Sequence, residues 1–517
     1  MESKTTSSSY SDILSSLAIL RVQNGNGQDY LQNFVPFLAE CIRKCSNDTV
    51  TLAEIRGLFM STFGLNVPQG VVRVLLERGV AAGYLKKTNK VYQRLNGSVA
   101  NLTIEHDRAE AKRKLDALLQ KFADFVQSEL KHSISTEKGE QILYDFIREY
   151  GSDTLVPSRH SHSAEDSDSY LAGEFIKYLD AKDPVGFDYL LSAVQGSMMS
   201  SMLHYEDQSK IKLPWQNTSI YLDTPFILRT LELYGSVIQA PYIELVRTLI
   251  AEGVNIKCFS RTLEEIQGVL NSIKTRLQSG QKILQSFEEL GEELLATSYK
   301  PVDIQLLSAS LEDRLNKLGI EVEDEPPHLP HLVLDQLKAE EVFQSKLNYK
   351  RESAKEHDVA AVLSIHRLRL GRHPQQIERC VALFVTTNSR VVQAADQVMR
   401  EQTYRASGEV SWCMQHDALV TRLFLKNPVT LTSLPRKQII ADAMAALKPT
   451  PDLWQLYLAE ISALRAKGDI REEDITYLRC DPEALSALTK LTLNDSETYA
   501  EGTVEQVLRD SRAAIMS

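Results

Sequence analysis

Apolar residues recur at helical spacing through much of the first 97 positions. Ser11–Val22 reads as a short helix, and Asn24-Gly25-Asn26-Gly27 then breaks the pattern, so residues 1–27 are expected to be a flexible N-terminal segment. Asp29–Cys45 has helical periodicity. Thr51 and Glu54 form the S/T-x-x-E pattern of a capping box, and Gly64 ends the helix they open. A third helix runs from Pro68 to Arg78, with proline where a first turn tolerates it. Gly79 and Gly83 lead into two short β-like pieces, Tyr84-Leu85 and Val91-Tyr92, around Lys86-Lys87-Thr88-Asn89-Lys90. Residues 98–215 read as a helical middle region, with Ala109–Leu130 and Glu137–Tyr150 its clearest helices. A polar linker at 157–169 interrupts it and carries His160 and His162, which read as part of a solvated loop.

From Ser219 the pattern changes to strands alternating with helices. Ser219–Leu222, Asn255–Phe259 and Ala382–Thr387 are short and apolar, and Val410–Met414 offers one more strand. Runs that are apolar on both faces and separated by helical segments imply a buried parallel sheet. Helical periodicity returns over 428–517, broken at Leu434-Pro435 and at Lys448-Pro449-Thr450-Pro451. The expected architecture is therefore multidomain and predominantly α-helical. It has a compact module at 28–97, an α/β domain with a small parallel sheet flanked by helices at 216–427, and a helical C-terminal region.

A length of 517 residues exceeds one ordinary core and suits this division. The formal charge of −11 excludes a chain that coats nucleic acid with its whole surface, so any such contact needs local patches. Six cysteines lack zinc-like spacing. Cys41 and Cys45 share a helix face, which suits reduced thiols in a cytoplasmic protein. No apolar run is long enough for a membrane span, and the Ser/Thr-rich start does not resemble a secretory signal.

The candidate chemistry lies at the strand ends. Asp223 ends the first strand of the α/β domain. Glu264 and Glu265 sit early in the helix after the second strand. Asp358 sits near a helix start, ahead of Val359-Ala360-Ala361, and Asn388 ends the strand at Val385-Thr386-Thr387. In open parallel sheets ligands bind beyond the carboxyl ends of the strands, where this set falls. Any one of these side chains could instead be a helix cap. Asp396 and Asp417, near the last strands, read as surface or capping residues.

In order and context these motifs resemble the PIN-like family of metal-dependent nucleases. The resemblance covers the strand and helix elements of 216–427 apart from a long insertion. It implies Asp223, Glu265 and Asp358 as metal-binding carboxylates. Glu265 is preferred to Glu264 because it directly precedes Ile266. Asn388 stands where the family often has Asp, which leaves the catalytic set one negative charge short. The implied cofactor is Mg2+ or Mn2+, since hard oxygen ligands select such ions. The implied reaction is phosphodiester hydrolysis in RNA or DNA, in RNA processing or as a regulated effector in antiviral defence. Thr387 could orient Asn388. The alternative is a non-catalytic nucleic-acid-binding or protein-interaction scaffold with the same fold.

Between Glu265 and Asp358 lie 92 residues. The stretch at about 270–350 reads as an acidic helical insertion: Gln281–Lys346 holds 14 Asp/Glu against 6 Lys/Arg. It suits a protein partner or self-association better than a nucleic acid. By contrast, the 28–97 module holds 9 Lys/Arg against 5 Asp/Glu. Its three helices and basic hairpin resemble a winged-helix domain. In one that binds nucleic acid, Arg73 and Arg78 on the third helix and Lys86, Lys87, Lys90 and Arg94 on the wing would meet phosphates or bases. Winged helices also bind proteins, and the residues leave both readings open.

Overall fold

The computed structural model describes residues 9–20, 30–89, 91–95, 104–150, 166–204, 213–231, 233–279, 290, 299–403, 409–427 and 433–516. It is mostly helical and divides into two compact units. One comprises Met1–Lys212, Thr421–Lys448 and Thr492–Thr498, and the other Leu213–Val420, Pro449–Leu491 and Tyr499–Ser517. The helical C-terminal region is thus shared between units. Among the described residues no helix is long and apolar enough to cross a membrane.

In the first unit, helices Val35–Lys44, Leu52–Phe63 and Gln69–Ala81 precede a hairpin of β2 (Leu85–Thr88) and β3 (Val91–Arg94). A short strand not anticipated from the sequence, β1 (Thr49–Val50), pairs with β3 and completes a three-stranded antiparallel sheet. Phe37, Phe59, Phe63, Val72 and Leu75 are fully or almost fully buried in this module. Thr51 Oγ1 accepts from the Glu54 N–H at 3.2 Å, and Gly64 ends that helix in the left-handed region at φ 70°. Glu54 does not return the bond, because its carboxylate accepts from the Ser46 N–H instead. The cap forms without the reciprocal half of the box.

Residues 10–19 are a helix rather than part of a flexible segment, because Ile13, Leu14 and Leu17 place a buried apolar face along it. Gly196 lets the helix Pro184–Ser200 cross it closely: a Cβ there would stand 2.0 Å from the Leu17 carbonyl oxygen. Helices Ile104–Glu129, Thr136–Arg148, Asp166–Lys182 and Ser433–Ala446 complete the unit. Phe122 stacks on Phe175 at a centroid distance of 4.4 Å. The expected linker at 157–169 is a helix from Asp166 onward, where Asp168 is buried and paired with Lys138 at 2.7 Å. His160 and His162 lie outside the described residues.

The second unit is built on a five-stranded, wholly parallel sheet. Its strands are β4 (Ser219–Leu222), β5 (Asn255–Phe259), β6 (Ile320–Glu323), β7 (Ala382–Thr386) and β8 (Cys413–Gln415), in the order β6-β5-β4-β7-β8. All five β7 residues are buried, as a central parallel strand requires. The helix Glu352–Leu368 packs Val359, Val362 and Ile365 into a core with Phe384, Val391 and Trp412. Arg369, 1% exposed, donates to the carbonyls of Ala382, Val410 and Ser411 at 2.7, 2.9 and 2.7 Å, bracing the start of β7 and the chain entering β8. Helices Pro451–Lys467, Glu472–Cys480, Pro482–Thr492 and Thr503–Met516 carry a separate apolar cluster around Leu453, Tyr457, Leu478 and Val504.

The acidic insertion is not wholly helical. Ile320–Glu323 within it pairs with Ile256–Phe259 as an edge strand. Its Ile-Glu-Val-Glu alternation buries only Ile320 fully, and Glu323 pairs with Lys257 at 2.9 Å. Leu311–Lys317 and Gln336–Leu347 are helical, whereas 280–289 and 291–298 lie outside the described residues.

Candidate functional site

The strand order fixes where a site can form. The chain leaves β4 for β5 and β6 on one side, then returns to place β7 and β8 on the other. Connections therefore diverge between β4 and β7, and this switch point opens a crevice at the carboxyl edge. Leu222 is in register with Val385, so Asp223 stands level with Thr386 at that crevice. Tyr221 is in register with Lys257, which brings Phe259 to the same level and starts the helix Ser260–Ser279 there.

Asp223 is 3% exposed and doubles as the N-cap of the helix Thr224–Thr230. Its Oδ1 accepts from the Thr224 N–H at 2.8 Å. Its Oδ2 accepts from the Thr386 hydroxyl at 2.6 Å, across the switch point. The Thr224 hydroxyl donates to Glu265 Oε2 at 2.6 Å. On the helix Glu352–Leu368, His357 Nδ1 lies 3.1 Å from Asp358 Oδ1 and 3.5 Å from Glu265 Oε2. His357 Nε2 lies 3.0 Å from the Thr262 hydroxyl, and the Tyr349 hydroxyl donates to Asp358 Oδ2. Three carboxylates and one imidazole thus meet in one network of hydrogen bonds and ion pairs. Ligand atoms of Asp223, His357 and Asp358 all lie within 4.8 Å of one another.

The electrostatics follow from this crowding. Burial, and then the charge of Asp358, push the Asp223 carboxyl from 3.8 up to about 7, although His357 and the Thr386 hydroxyl favour its ionised form. Burial opposes charge on His357. The hydrogen bond to Asp358 and the charges of Glu265, Asp223 and Asp358 outweigh it and raise the imidazole from 6.5 to about 9. At neutral pH His357 is therefore a buried cation, with N–H groups toward both the carboxylates and Thr262. Burial and Asp358 also push the Tyr349 phenol far above its ordinary value, so it stays a donor.

Of the four predicted catalytic residues, the structure brings together Asp223, Glu265 and Asp358. Glu264, one residue away, is exposed. Asn388 ends β7 as expected, but it is exposed and its amide oxygen accepts from the Arg390 N–H at 3.0 Å, capping the helix Ser389–Gln402. Its link to the cluster is indirect: its N–H donates at 3.0 Å to the Thr386 hydroxyl that holds Asp223. The orienting threonine is thus Thr386 rather than Thr387. Asp417 is engaged by His416 at 3.1 Å and Gln415 at 3.2 Å, at the end of β8.

Sequence reading missed His357, Thr224, Thr262 and Tyr349. His357 had a signal, since a histidine directly before a candidate metal-binding aspartate on a packed helix deserves its own assignment. Tyr349 had none, because it precedes the helix in an irregular stretch.

On the basic module, Arg73 and Lys86 are exposed, whereas Arg78 is half-buried. Lys87 is engaged by Glu77, and Arg94 pairs with Asp48 at 3.0 Å. Lys90 lies outside the described residues. Two of the four hairpin cations therefore already have acidic partners, although exposed pairs of this kind are weak, typically about 0–1 kcal/mol.

No protein-family model matches the chain, and no match is found among curated proteins or solved structures.

Proposed function

We propose that the α/β part of the second unit, within residues 216–427, is a PIN-like, metal-dependent nuclease that hydrolyses phosphodiester bonds. The observation that carries this reading is the convergence of Asp223, Glu265 and Asp358 at the switch point of a parallel sheet, from three separate stretches of sequence. Clustered buried carboxylates repel one another, and a divalent cation relieves that cost. The donor set fits one ion. Ligand atoms of Asp223, His357 and Asp358 lie within 4.8 Å of one another, so one cation among them would be held by all three once the side chains close in around it. An imidazole beside carboxylates favours Mn2+ over Mg2+.

Bound there, a divalent ion would acidify a water and polarise a phosphoryl oxygen. The chain's own groups do the positioning. Thr386 and the Thr224 N–H fix Asp223, the Thr224 hydroxyl turns Glu265 inward, and Tyr349 holds Asp358. His357 supplies positive charge while the carboxylates have no metal. The test is cleavage of single- and double-stranded RNA and DNA with Mn2+, Mg2+ or EDTA, alongside Asp223→Asn. Cleavage that needs the ion and disappears in the variant is the expected result. Equal activity of variant and wild type in both ions would sink the mechanism.

The three helices and antiparallel sheet of residues 35–94 support a winged-helix-like module that delivers substrate. The Lys87–Glu77 and Arg94–Asp48 pairs favour a second reading for this module, contact with a protein. Salt-dependent binding to nucleic acid, or its lack, separates the two.

A further inference from the structure

A cavity of about 250 Å3 in the second unit is lined by Arg261, Glu325, His328, Gln336, Glu356 and Arg367. Two of these residues adjoin the acidic cluster in sequence. Arg261 precedes Thr262, which meets His357, and Glu356 directly precedes His357. The cavity and the cluster therefore share the helices Ser260–Ser279 and Glu352–Leu368 as walls.

Arg367 is the unusual member. It is 9% exposed, and its Nη2 donates to Ser364 Oγ at 2.8 Å. Its Nε is buried without a hydrogen-bond partner. Two residues later Arg369, still more buried, has three backbone carbonyls. A guanidinium that braces the fold is thus fully supplied, whereas Arg367, which lines the cavity, has Ser364 as its only described hydrogen-bond partner. Leaving a buried cationic donor unmatched is costly unless an acceptor joins it. Arg261 stands at the same cavity and meets Glu325 through Nε at 2.7 Å.

We propose that this cavity is a phosphoryl-binding subsite, with Arg367 as the buried anchor and Arg261 at the rim. A guanidinium matches a phosphate by its planar fork of donors. The charges define the ligand further. The lining also holds two carboxylates, Glu325 and Glu356, which balance the charge of the two guanidiniums. One phosphodiester or phosphate monoester is accommodated, whereas a triphosphate brings too much negative charge. This deepens the nuclease reading and rests on it for the identity of the substrate: a strand cleaved at the acidic cluster would seat a neighbouring phosphate here. Phosphate binding itself does not depend on that reading.

The test titrates the EDTA-treated full chain with inorganic phosphate, followed by phosphorus NMR line broadening. Without a metal the carboxylate cluster repels the anion and contributes nothing. Arg367→Met, which keeps the bulk, should weaken binding at least tenfold, and Arg261→Gln at least threefold. Adenosine triphosphate should bind no tighter than the monophosphate. If Arg367→Met does not fold, Arg261→Gln decides alone, because Arg261 is exposed. Unchanged binding in the folded variants overturns the proposal. Competition by an oligonucleotide with a 5′-hydroxyl identifies internal phosphodiesters as the ligand. Competition confined to 5′-phosphorylated nucleotides and strands identifies a terminal phosphate. The two hypotheses fail separately. A chain that binds phosphate through Arg367 yet cleaves nothing with Mn2+ keeps this site and loses the nuclease. A chain that cleaves, with phosphate binding indifferent to Arg367, does the reverse.

Discussion

Replacing Asp223 by Asn should separate stability from function. The carboxyl is 3% exposed and pushed from 3.8 to about 7 by burial and by Asp358. A group with a raised folded pKa favours folding while it is protonated in both states, and that advantage disappears as pH rises through the folded value. Above neutral pH, ionised Asp223 therefore costs the metal-free protein up to about 4 kcal/mol, at 1.36 kcal/mol per pH unit. Asparagine removes the charge and keeps the shape. Its Oδ1 can accept from the Thr224 N–H, and its Nδ2 can donate to Thr386 Oγ1 once that hydroxyl turns. The loss of attraction to protonated His357 takes back part of the gain, leaving about 1–3 kcal/mol of net stabilisation.

The assay is calorimetry of wild type and Asp223→Asn at pH 8 in EDTA and in Mn2+. In EDTA the variant should melt several degrees higher, at about 2–4 °C per kcal/mol for a unit of this size. In Mn2+ the order should shrink or reverse, because a ligand that binds only the folded wild type stabilises it selectively. Cleavage should be lost in the variant throughout. If Asp223→Asn melts lower than wild type in EDTA, the carboxylate is a structural cap and the argument from charge crowding is wrong.

Four further outcomes follow from the geometry. Metal-free stability should fall as pH rises from about 4 to 9, because Asp223 and His357 both have raised folded values and lose their contributions through about 7 and about 9; Mn2+ affinity measured calorimetrically should rise over the upper part of that range, and a flat profile would count against the cluster. Tyr349→Phe removes the hydroxyl from Asp358 and should weaken Mn2+ binding about tenfold, as loss of an outer-shell partner commonly does; unchanged affinity would make Tyr349 a packing residue. Arg73→Glu with Lys86→Glu, both exposed and neither in a described ion pair, should lower nucleic-acid affinity and flatten its salt dependence by about 2 in log–log slope; equal binding across salt would assign the module to a protein partner. Gly196→Ala should destabilise the first unit by about 3 kcal/mol or more in denaturant titrations, since the methyl meets backbone rather than a movable side chain.

What could be read from the sequence follows from how each element is buried. The strands Ser219–Leu222, Asn255–Phe259 and Ala382–Thr386 lie inside the sheet, so they are mostly apolar, the central Ala382–Thr386 nearly continuously so, and their ends fall within a residue of expectation. Asp223 stood out because a strand ended there and a helix began. Ile320–Glu323 was hidden for the opposite reason. An edge strand has one paired side, and its two glutamates look like solvated acid until Lys257 and Tyr221 are seen across from Glu323. The shift from Asn388 to Thr386 has a similar origin: a strand-end asparagine can ligate or cap, and only the Arg390 N–H at 3.0 Å shows that its oxygen caps. His357 was the costliest omission. It is buried on its helix, where a histidine is usually a satisfied core residue. What distinguishes it lies on other elements: Glu265 from the helix after β5, Thr262 from the same helix, and Asp223 from the end of β4. A charge balance among residues more than 90 positions apart leaves no local pattern. In this cluster a buried imidazolium offsets part of the carboxylate charge, so the cost of assembling the acids without a metal is reduced from within the fold.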